Sequence, residues 1–337
     1  MIYNENGVLG NLSAMGLGCW NFGGQWNKVS EDDAIKIIRY AIDNGVNFVD
    51  VSESYGIPDG QCEIILGKAL KNGYREKVFL ISKIGWYGRR SSDYLSKKDS
   101  LSQKIGRKIY CKLFNQKNFS TTERSVDFLR LCGHACCGRL QTNCIDLLLC
   151  HDGNPKDGKN FIDAFRILKE EGFIKHYGIS TDRIDVLKKF YNDSEGECVA
   201  CECDYSLLNR TAEKEMFSFC EKNNIAVLTR GSLARGLLSG KYDLNTVFSE
   251  DSRKGWNVGG RNRTQYEQYM AKLERIKSIC RELPLPQQAY RFVFSHPIHP
   301  NVVMGCTSIE QIKQNIKIAS EYMDETIYSR LWSNVDG

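Results

Sequence analysis

The sequence predicts a single eight-stranded (β/α)8 barrel, an α/β fold of the TIM-barrel type. The chain has 337 residues, a length that one such barrel accommodates around one core. Eight β-rich runs alternate with helical patterns, in the order typical of a parallel sheet. A doubly wound nucleotide-binding sheet would instead need a Gly-x-Gly-x-x-Gly turn after its first strand. Gly16-Leu17-Gly18 supplies two of those glycines without the third, which favours the barrel.

The predicted strands are rich in apolar residues. Parallel strands that helices cover are buried on both faces, so they do not alternate between apolar and polar residues. Val78-Phe79-Leu80-Ile81 and Ile145-Asp146-Leu147-Leu148-Leu149 show this composition most clearly. The predicted strands span residues 13–19, 47–52, 78–84, 144–150, 174–180, 199–205, 225–230 and 302–305.

A helical pattern follows each predicted strand. The first begins after Ser30, a favourable N-cap residue, and ends before Gly45. Glu31, Asp32 and Asp33 occupy its first turn, where the helix dipole favours negative charge. The predicted helices span residues 31–44, 61–71, 121–132, 160–171, 182–191, 211–223, 284–295 and 308–320.

Two segments are far longer than an ordinary connection between a strand and a helix. Residues 86–119 follow the third predicted strand, and residues 240–283 follow the seventh. Loops that follow strands lie on the catalytic face of a (β/α)8 barrel. We therefore expect both long loops of this single domain, residues 1–337, to cover a substrate or a cofactor.

The composition is that of an ordinary globular protein. Hydrophobic residues make up 42% of the chain and charged residues 26%, and no apolar run approaches the roughly 18 residues that a membrane span needs. The first residues, Met1-Ile2-Tyr3-Asn4-Glu5-Asn6, lack the basic and apolar parts of a secretory signal. We expect a cytoplasmic protein without a membrane partner.

The fourteen cysteines are expected to be reduced thiols, because no export signal accompanies them. The densest cluster is formed by Cys132, Cys136 and Cys137 around His134, followed by Cys144. Their spacing does not match the paired ligands of a closed zinc site. No metal site is therefore predicted.

Positive charge is concentrated in residues 86–118. This segment holds nine Lys or Arg against two Asp, although the formal net charge of the whole chain is only +5. One interpretation is a solvated surface loop. The other is a cover that favours an anionic substrate, such as a phosphorylated or nucleotide-linked sugar, with Trp86 as an apolar wall. A nucleic-acid partner is not expected, since no recognition element accompanies the charge.

Polar residues follow three consecutive predicted strands. Asp50 and Tyr55 follow the second, Lys83 ends the third and His151 follows the fourth, so the barrel should bring them to one patch. A tyrosine, with a pKa near 10, needs a nearby cation to exchange protons at neutral pH. Lys83 would be that cation, Asp50 would keep it charged, and His151 would orient a carbonyl oxygen. This set suits delivery of a proton to an oxyanion that forms as hydride arrives.

With these residues in this order, the chain resembles the aldo-keto reductase superfamily. Cys150-His151-Asp152 and the long third loop favour its sugar or aldose dehydrogenase-like branch. The similarity extends from Met15-Gly16-Leu17-Gly18 to Asn315. The resemblance implies that the four residues above form the catalytic tetrad, with Tyr55 as the proton donor.

The resemblance also implies a nicotinamide cofactor, NADP(H) with NAD(H) as the alternative. Ser180 corresponds to the family serine that contacts the nicotinamide carboxamide. Residues 233–241 resemble the family loop over the pyrophosphate, and residues 305–315 resemble the segment that holds the adenosine phosphate and adenine. Ser308 also opens a helix, whose free N–H groups suit an anion on physical grounds alone. The residues assigned to the cofactor are Ser180, Thr181, Glu202, Arg230, Gly231, Ser232, Leu233, Arg235, Gly305, Thr307, Ser308, Gln311 and Asn315, and those assigned to the substrate are Trp20 and Trp86.

Three of these positions depart from the family pattern. Thr181 stands where the family usually has asparagine, and Glu202 stands where it usually has glutamine. Arg230 stands where the family has a tyrosine against the nicotinamide, and a guanidinium there could stack on the ring. An arginine common near Thr307 in NADP-preferring relatives is absent, which leaves the choice between NADP and NAD open.

The sequence therefore predicts an oxidoreductase that exchanges a hydride between NAD(P)H and an aldehyde, ketone or sugar carbonyl. Its partner would be that small molecule, and the sequence does not predict an oligomeric state. The alternative is a cofactor-sensing binding or regulatory subunit with little turnover. The complete tetrad disfavours this alternative, whereas Glu202 and Arg230 keep it open.

Overall fold

The computed structural model describes residues 1–24, 29–85, 124–249, 253–281 and 283–334. The chain begins with an antiparallel hairpin of two strands, β1 (Tyr3–Glu5) and β2 (Asn11–Ser13). Leu9 and Leu12 of this hairpin belong to the apolar cluster inside the barrel. The hairpin therefore packs against the barrel interior, an element that the sequence did not predict.

Eight parallel strands form a closed barrel, which confirms the predicted fold class. They follow one another around the barrel in chain order, and the last strand pairs with the first. The strands are β3 (Met15–Gly18), β4 (Phe48–Asp50), β5 (Phe79–Ile84), β6 (Ile145–Cys150), β7 (Ile174–Ser180), β8 (Cys198–Asp204), β9 (Ala226–Arg230) and β10 (Asn301–Gly305).

Large apolar side chains fill the barrel interior. Phe48, Ile81, Leu147 and Leu228 are all buried there in one cluster. Gly16 makes room for the first of them, since a Cβ atom at this position would lie 2.2 Å from the Phe48 ring. Gly16 is therefore required by packing rather than by phosphate binding.

Helices cover the outside of the barrel, and their apolar faces form the larger core cluster with the strands. Ser30 caps the first helix as predicted, because its Oγ accepts a hydrogen bond of 3.1 Å from the Asp33 N–H. The helices that follow the strands span Glu31–Asp43, Gln61–Ala69, Val126–Leu140, Gly158–Glu170, Ile184–Asp193, Met216–Lys222, Leu285–Phe294 and Ile309–Ile318.

The helix that the sequence predicted to end at residue 132 continues to Leu140. Gly133 lies inside it, where a Cβ atom would come within 2.4 Å of Leu168 on the neighbouring helix. This glycine allows two helices to approach closely instead of ending the first. The helix ends at Gln141, which adopts a left-handed conformation with φ of 53°.

Residues 240–283 contain a helix, Arg263–Ile279, that the sequence did not predict. The Trp256 and Tyr266 rings stack with their centroids 5.5 Å apart, and the Tyr266 hydroxyl donates to the Asp243 carbonyl. This segment is therefore a packed substructure rather than a simple loop. A further unpredicted helix, Glu325–Asn334, follows the barrel. The other long segment, 86–119, lies outside the described residues.

Within the described ranges, no helix has both the length and the apolar character required to cross a membrane. The cysteines there are free thiols, and only Cys144 among them is partly exposed. His134, beside the predicted cysteine cluster, lies 2.9 Å from Glu171 and stacks on Phe173. In the same part of the chain, no three His, Cys, Asp or Glu side chains are grouped to hold a metal ion.

Candidate active site

A cleft of about 1350 Å³ opens at the ends of the barrel strands. Asp50 is the last residue of β4, Lys83 lies near the end of β5, and His151 comes directly after β6. Asp50, Tyr55 and His151 line the cleft, and Lys83 is fully buried beside them. The structure therefore brings together the four residues that the sequence predicted to meet.

The Lys83 ammonium group lies among three polar side chains. Its Nζ lies 2.5 Å from Asp50 Oδ2 and donates a hydrogen bond of 3.3 Å to the Tyr55 hydroxyl. The same Nζ lies 3.2 Å from Glu202 Oε2, an ion pair without the alignment of a hydrogen bond. Both carboxylates are almost fully buried. The sequence predicted the first two contacts and missed the third, because it assigned Glu202 only to the cofactor.

Burial and charge fix the protonation states of this cluster. Burial alone would lower the pKa of Lys83, but the charges of Asp50 and Glu202 outweigh it and raise this pKa above its usual range. Burial raises the pKa of Tyr55 to about 12. The charge of Lys83 lowers this pKa, whereas the carboxylates of Asp50 and Glu202 raise it. Burial also raises the pKa of Asp50, although Lys83 opposes this. At neutral pH the lysine is therefore charged and the phenol keeps its proton.

His151 is oriented by a residue that the sequence analysis did not name. Ser52 is fully buried, and its Oγ lies 2.9 Å from His151 Nδ1 and 3.3 Å from the Lys83 carbonyl oxygen. The His151 ring also meets the Tyr55 ring edge to face, with centroids 5.8 Å apart. The signal for Ser52 was its position two residues after Asp50, at the same strand end.

Arg230 lies among three carboxylates in the cleft. Its Nη2 donates to both carboxylate oxygens of Asp182, at 2.9 and 2.8 Å. Its Nε lies 3.7 Å from Glu202 Oε1, and its Nη1 lies 3.8 Å from Asp204 Oδ1. Burial would lower the pKa of Arg230, but the negative charges of the three carboxylates outweigh burial and raise this pKa above its usual range. The guanidinium is thus a fixed cation whose position is set by acidic neighbours.

Most of the residues assigned to the cofactor line this cleft. The exceptions are Ser308 and Asn315. Ser308 caps the helix Ile309–Ile318 by accepting a hydrogen bond of 3.3 Å from the Gln311 N–H. Of the two substrate candidates, Trp20 lines the cleft and Trp86 lies outside the described residues. The assigned residues found in the lining are Ser180, Thr181, Glu202, Arg230, Gly231, Ser232, Leu233, Arg235, Gly305, Thr307 and Gln311.

The polar groups of the cleft fit a dinucleotide. Ser232 Oγ is buried in the lining and has no hydrogen-bond partner among the described residues, so a bound ligand could satisfy it. Ala234, Arg235 and Gly236 are consecutive residues with positive φ. The Arg235 side chain and the nearby N-terminus of the helix Ile309–Ile318 add groups that favour anions.

Residues of the segment 240–283 form one wall of the cleft. Arg253 is buried in this wall and donates a hydrogen bond of 2.7 Å to the Tyr242 hydroxyl. Its guanidinium also lies 5.0 Å from the centroids of the Tyr242 and Phe248 rings. The residues of this segment in the lining are Lys241, Tyr242, Arg253, Trp256, Arg261, Gln265 and Tyr269.

Comparison with known proteins identifies the class. Residues 14–333 match the model of the Aldo/keto reductase family. The chain therefore belongs to the aldo/keto reductase family, whose members are NAD(P)-dependent oxidoreductases. This confirms the resemblance inferred from the sequence.

Individual relatives extend the match over nearly the whole chain. The uncharacterized oxidoreductase YqkF of Bacillus subtilis is 26% identical over 320 residues, which are 92% of this chain and 88% of that protein. The NADH-specific methylglyoxal reductase of Escherichia coli is 28% identical over 316 residues, 90% of this chain and 89% of that protein. The holo form of aldo-keto reductase AKR11C1 from Bacillus halodurans superposes with a TM-score of 0.74 at 25% identity, covering 98% of this chain and 95% of that one.

Proposed function

We propose that this protein reduces the carbonyl group of an aldehyde, a ketone or a sugar with a nicotinamide dinucleotide as the hydride donor. The observation that carries the proposal is the contact of Lys83 with both Asp50 and Tyr55 at the wall of the cleft. The same groups would serve the reverse oxidation of an alcohol.

When bound, NAD(P)H supplies the hydride. Ser180 and Thr181 would hold the nicotinamide end, Ser232 and Arg235 the pyrophosphate, and the helix that begins after Ser308 the adenosine end. NADP(H) is our first assignment, with NAD(H) as the alternative. The NADH-specific relative in Escherichia coli and the missing arginine near Thr307 support the alternative.

Tyr55 would donate the proton that the carbonyl oxygen takes up. Its hydroxyl accepts a hydrogen bond from the Lys83 ammonium group, so positive charge stabilises the tyrosinate that remains after the transfer. A phenol that keeps its proton at neutral pH is the form that reduction needs.

His151 would orient the carbonyl oxygen. A neutral imidazole donates from Nε2 only if Nδ1 carries no proton, and then Nδ1 must accept a hydrogen bond. The Ser52 hydroxyl can donate that bond at 2.9 Å, in place of the longer bond of 3.3 Å that its single proton would otherwise make to the Lys83 carbonyl oxygen. Ser52 would thus select the tautomer that points an N–H group at the substrate.

The proposal extends to an anionic substrate, such as a phosphorylated or nucleotide-linked sugar. The nine Lys and Arg of residues 86–118 support it, because loops that follow barrel strands lie at the catalytic face and clustered cations raise the local concentration of anions. Trp20 would provide an apolar wall for the carbonyl-bearing part.

The test compares carbonyl turnover by the wild type with turnover by Tyr55→Phe. Loss of the proton donor should lower kcat by about 10²-fold or more, while the affinity for NADPH and NADH, measured by fluorescence quenching, changes little. Tyr3→Phe removes a phenol from the N-terminal hairpin, where it donates to the Gly45 carbonyl, and should retain the wild-type rate.

The alternative function predicts a different outcome. A cofactor-sensing subunit would bind a dinucleotide tightly and turn over none of the aldehydes, ketones or sugars, with or without Tyr55. Equal, very slow rates in the wild type and Tyr55→Phe would therefore replace the proposed reductase with this alternative.

A further inference from the structure

The Glu202 carboxylate lies between the side chains of Lys83 and Arg230. It lies in β8, its side chain is 1% exposed, and its two carboxylate oxygens face different cations. Oε2 lies 3.2 Å from Lys83 Nζ, and Oε1 lies 3.7 Å from Arg230 Nε. One buried carboxylate therefore bridges two cations.

The charges of this cluster explain why the bridge needs Arg230. With both carboxylates ionised, Lys83, Asp50 and Glu202 would together carry one net negative charge, and an unbalanced charge is costly inside a protein. Arg230 brings a second positive charge to Glu202, and shares it with Asp182 and Asp204. Asp182 holds the Arg230 guanidinium from the other side by accepting two hydrogen bonds. Asp182 thus contacts Arg230, whereas Glu202 contacts both Arg230 and Lys83.

Building on the proposed function, we propose that Glu202 is a positioning residue that acts on Tyr55 through Lys83. Its negative charge holds the ammonium group in place and makes the Tyr55 proton harder to remove. The chain would consequently be suited to carbonyl reduction, which requires the protonated phenol, over a wider pH range than a variant with a neutral side chain at this position.

The direction of the effect follows from charge alone. Tyrosinate is negative, and a nearby negative carboxylate disfavours it, so Glu202 adds to the effect of burial on the pKa of Tyr55. An amide of the same shape would keep the packing and remove the charge. Oxidation of an alcohol, which needs tyrosinate as the base, should benefit from that change.

Glu202→Gln provides the test, and its readout does not require turnover. Tyrosinate absorbs in the ultraviolet, so the titration of a protein minus that of its Tyr55→Phe counterpart isolates the ionisation of Tyr55. The midpoint of this difference should fall by about one pH unit when Glu202 becomes Gln. In active enzyme, the high-pH limb of kcat/KM for reduction should move down by the same amount.

Three variants complete the experiment. Asp182→Asn removes one negative charge that contacts Arg230 but not Lys83, so its midpoint should move less than that of Glu202→Gln. Glu202→Asp retains the charge and should leave the midpoint near the wild-type value. If Glu202→Gln does not fold, Glu202→Ala removes the same charge and should lower the midpoint in the same way.

An unchanged midpoint in the charge-removing variants of Glu202 would overturn the proposal. An equal shift in Asp182→Asn would also overturn it, because the effect would then be one of general net charge rather than of the contact with Lys83. A wild type that reduces no carbonyl would refute the proposed function, yet the ultraviolet titration would still decide the role of Glu202.

Discussion

The hydroxyl oxygen of Ser52 lies 2.9 Å from Nδ1 of His151, and this buried contact joins the end of β4 to the residue that follows β6. Ser52 offers no chemistry of its own to a carbonyl substrate. In the proposed mechanism, its contribution is to hold the His151 ring in place and to favour the tautomer with a proton on Nε2.

We expect Ser52→Ala to lower kcat/KM for carbonyl reduction by about 10-fold, the value of one hydrogen bond that orients the imidazole. Steady-state kinetics at neutral pH measure the effect. Ser54→Ala is the matched comparison, since Ser54 Oγ lies 3.2 Å from Ser52 Oγ and the proposed mechanism gives it no role. The decrease in kcat/KM for Ser54→Ala should be smaller. Equal losses in the two variants would contradict the assigned role of Ser52.

The fold and the meeting of the tetrad residues were predictable because both depend on strand ends. Apolar runs locate the strands, and the barrel brings residues at their carboxyl ends to one face. The proximity of Lys83 and His151 follows directly, since β5 and β6 are neighbours in the chain and in the barrel.

The contact between Glu202 and Lys83 was not predictable in this way. β8 and β5 are not adjacent in the barrel, so their side chains meet only because of the barrel diameter and the length of each side chain. The end of the helix predicted over residues 121–132 was wrong for a related reason, because the helix continues through Gly133 to Leu140. A glycine that ends a helix and one that allows close packing look alike until the neighbouring helix, with Leu168, is placed.

His296 should make the protein less stable in mild acid. Its ring packs against Phe217 and Trp332, and its Nδ1 accepts a hydrogen bond from the Ile298 N–H. Burial lowers the pKa of His296 from 6.5 to about 4, and Arg210 adds to this effect. Between these two values the unfolded chain binds a proton that the folded chain does not, so stability falls as the pH falls.

Urea unfolding of the wild type and His296→Phe at about pH 8 and about pH 5 measures this contribution. Because the ring is only partly buried, we expect the wild type to lose on the order of 1 kcal/mol more than the variant between the two conditions. Parallel losses in the two proteins would show that His296 titrates normally in the folded state.

Neutralising the basic segment should affect anionic substrates selectively. Replacement of Arg89, Arg90, Lys97 and Lys98 by Gln removes four of its positive charges. The KM for a phosphorylated sugar or aldehyde should rise several-fold at low salt, and the difference should shrink as salt screens the charges. The KM for the matched neutral carbonyl is the control. An unchanged ratio of the two KM values would dismiss the preference for anions.

Arg230 should stabilise the cleft because three carboxylates surround it. Arg230→Leu would leave Asp182, Glu202 and Asp204 close together without their shared cation. We expect the free energy of unfolding to fall by about 1 to 2 kcal/mol, less than the cost of breaking a fully buried ion pair, because Arg230 and Asp182 are both partly exposed. Urea unfolding at neutral pH measures the loss.

A second substitution separates charge repulsion from lost packing. If repulsion dominates, Asp182→Asn added to Arg230→Leu should restore part of the lost stability, although Asp182→Asn alone should destabilise the wild type. The effect of Asp182→Asn on the free energy of unfolding would then have opposite signs in the two backgrounds, which independent sites do not show. Purely additive losses would instead mean that Arg230 contributes through the packing of its side chain, and that the surrounding carboxylates are adequately solvated without it.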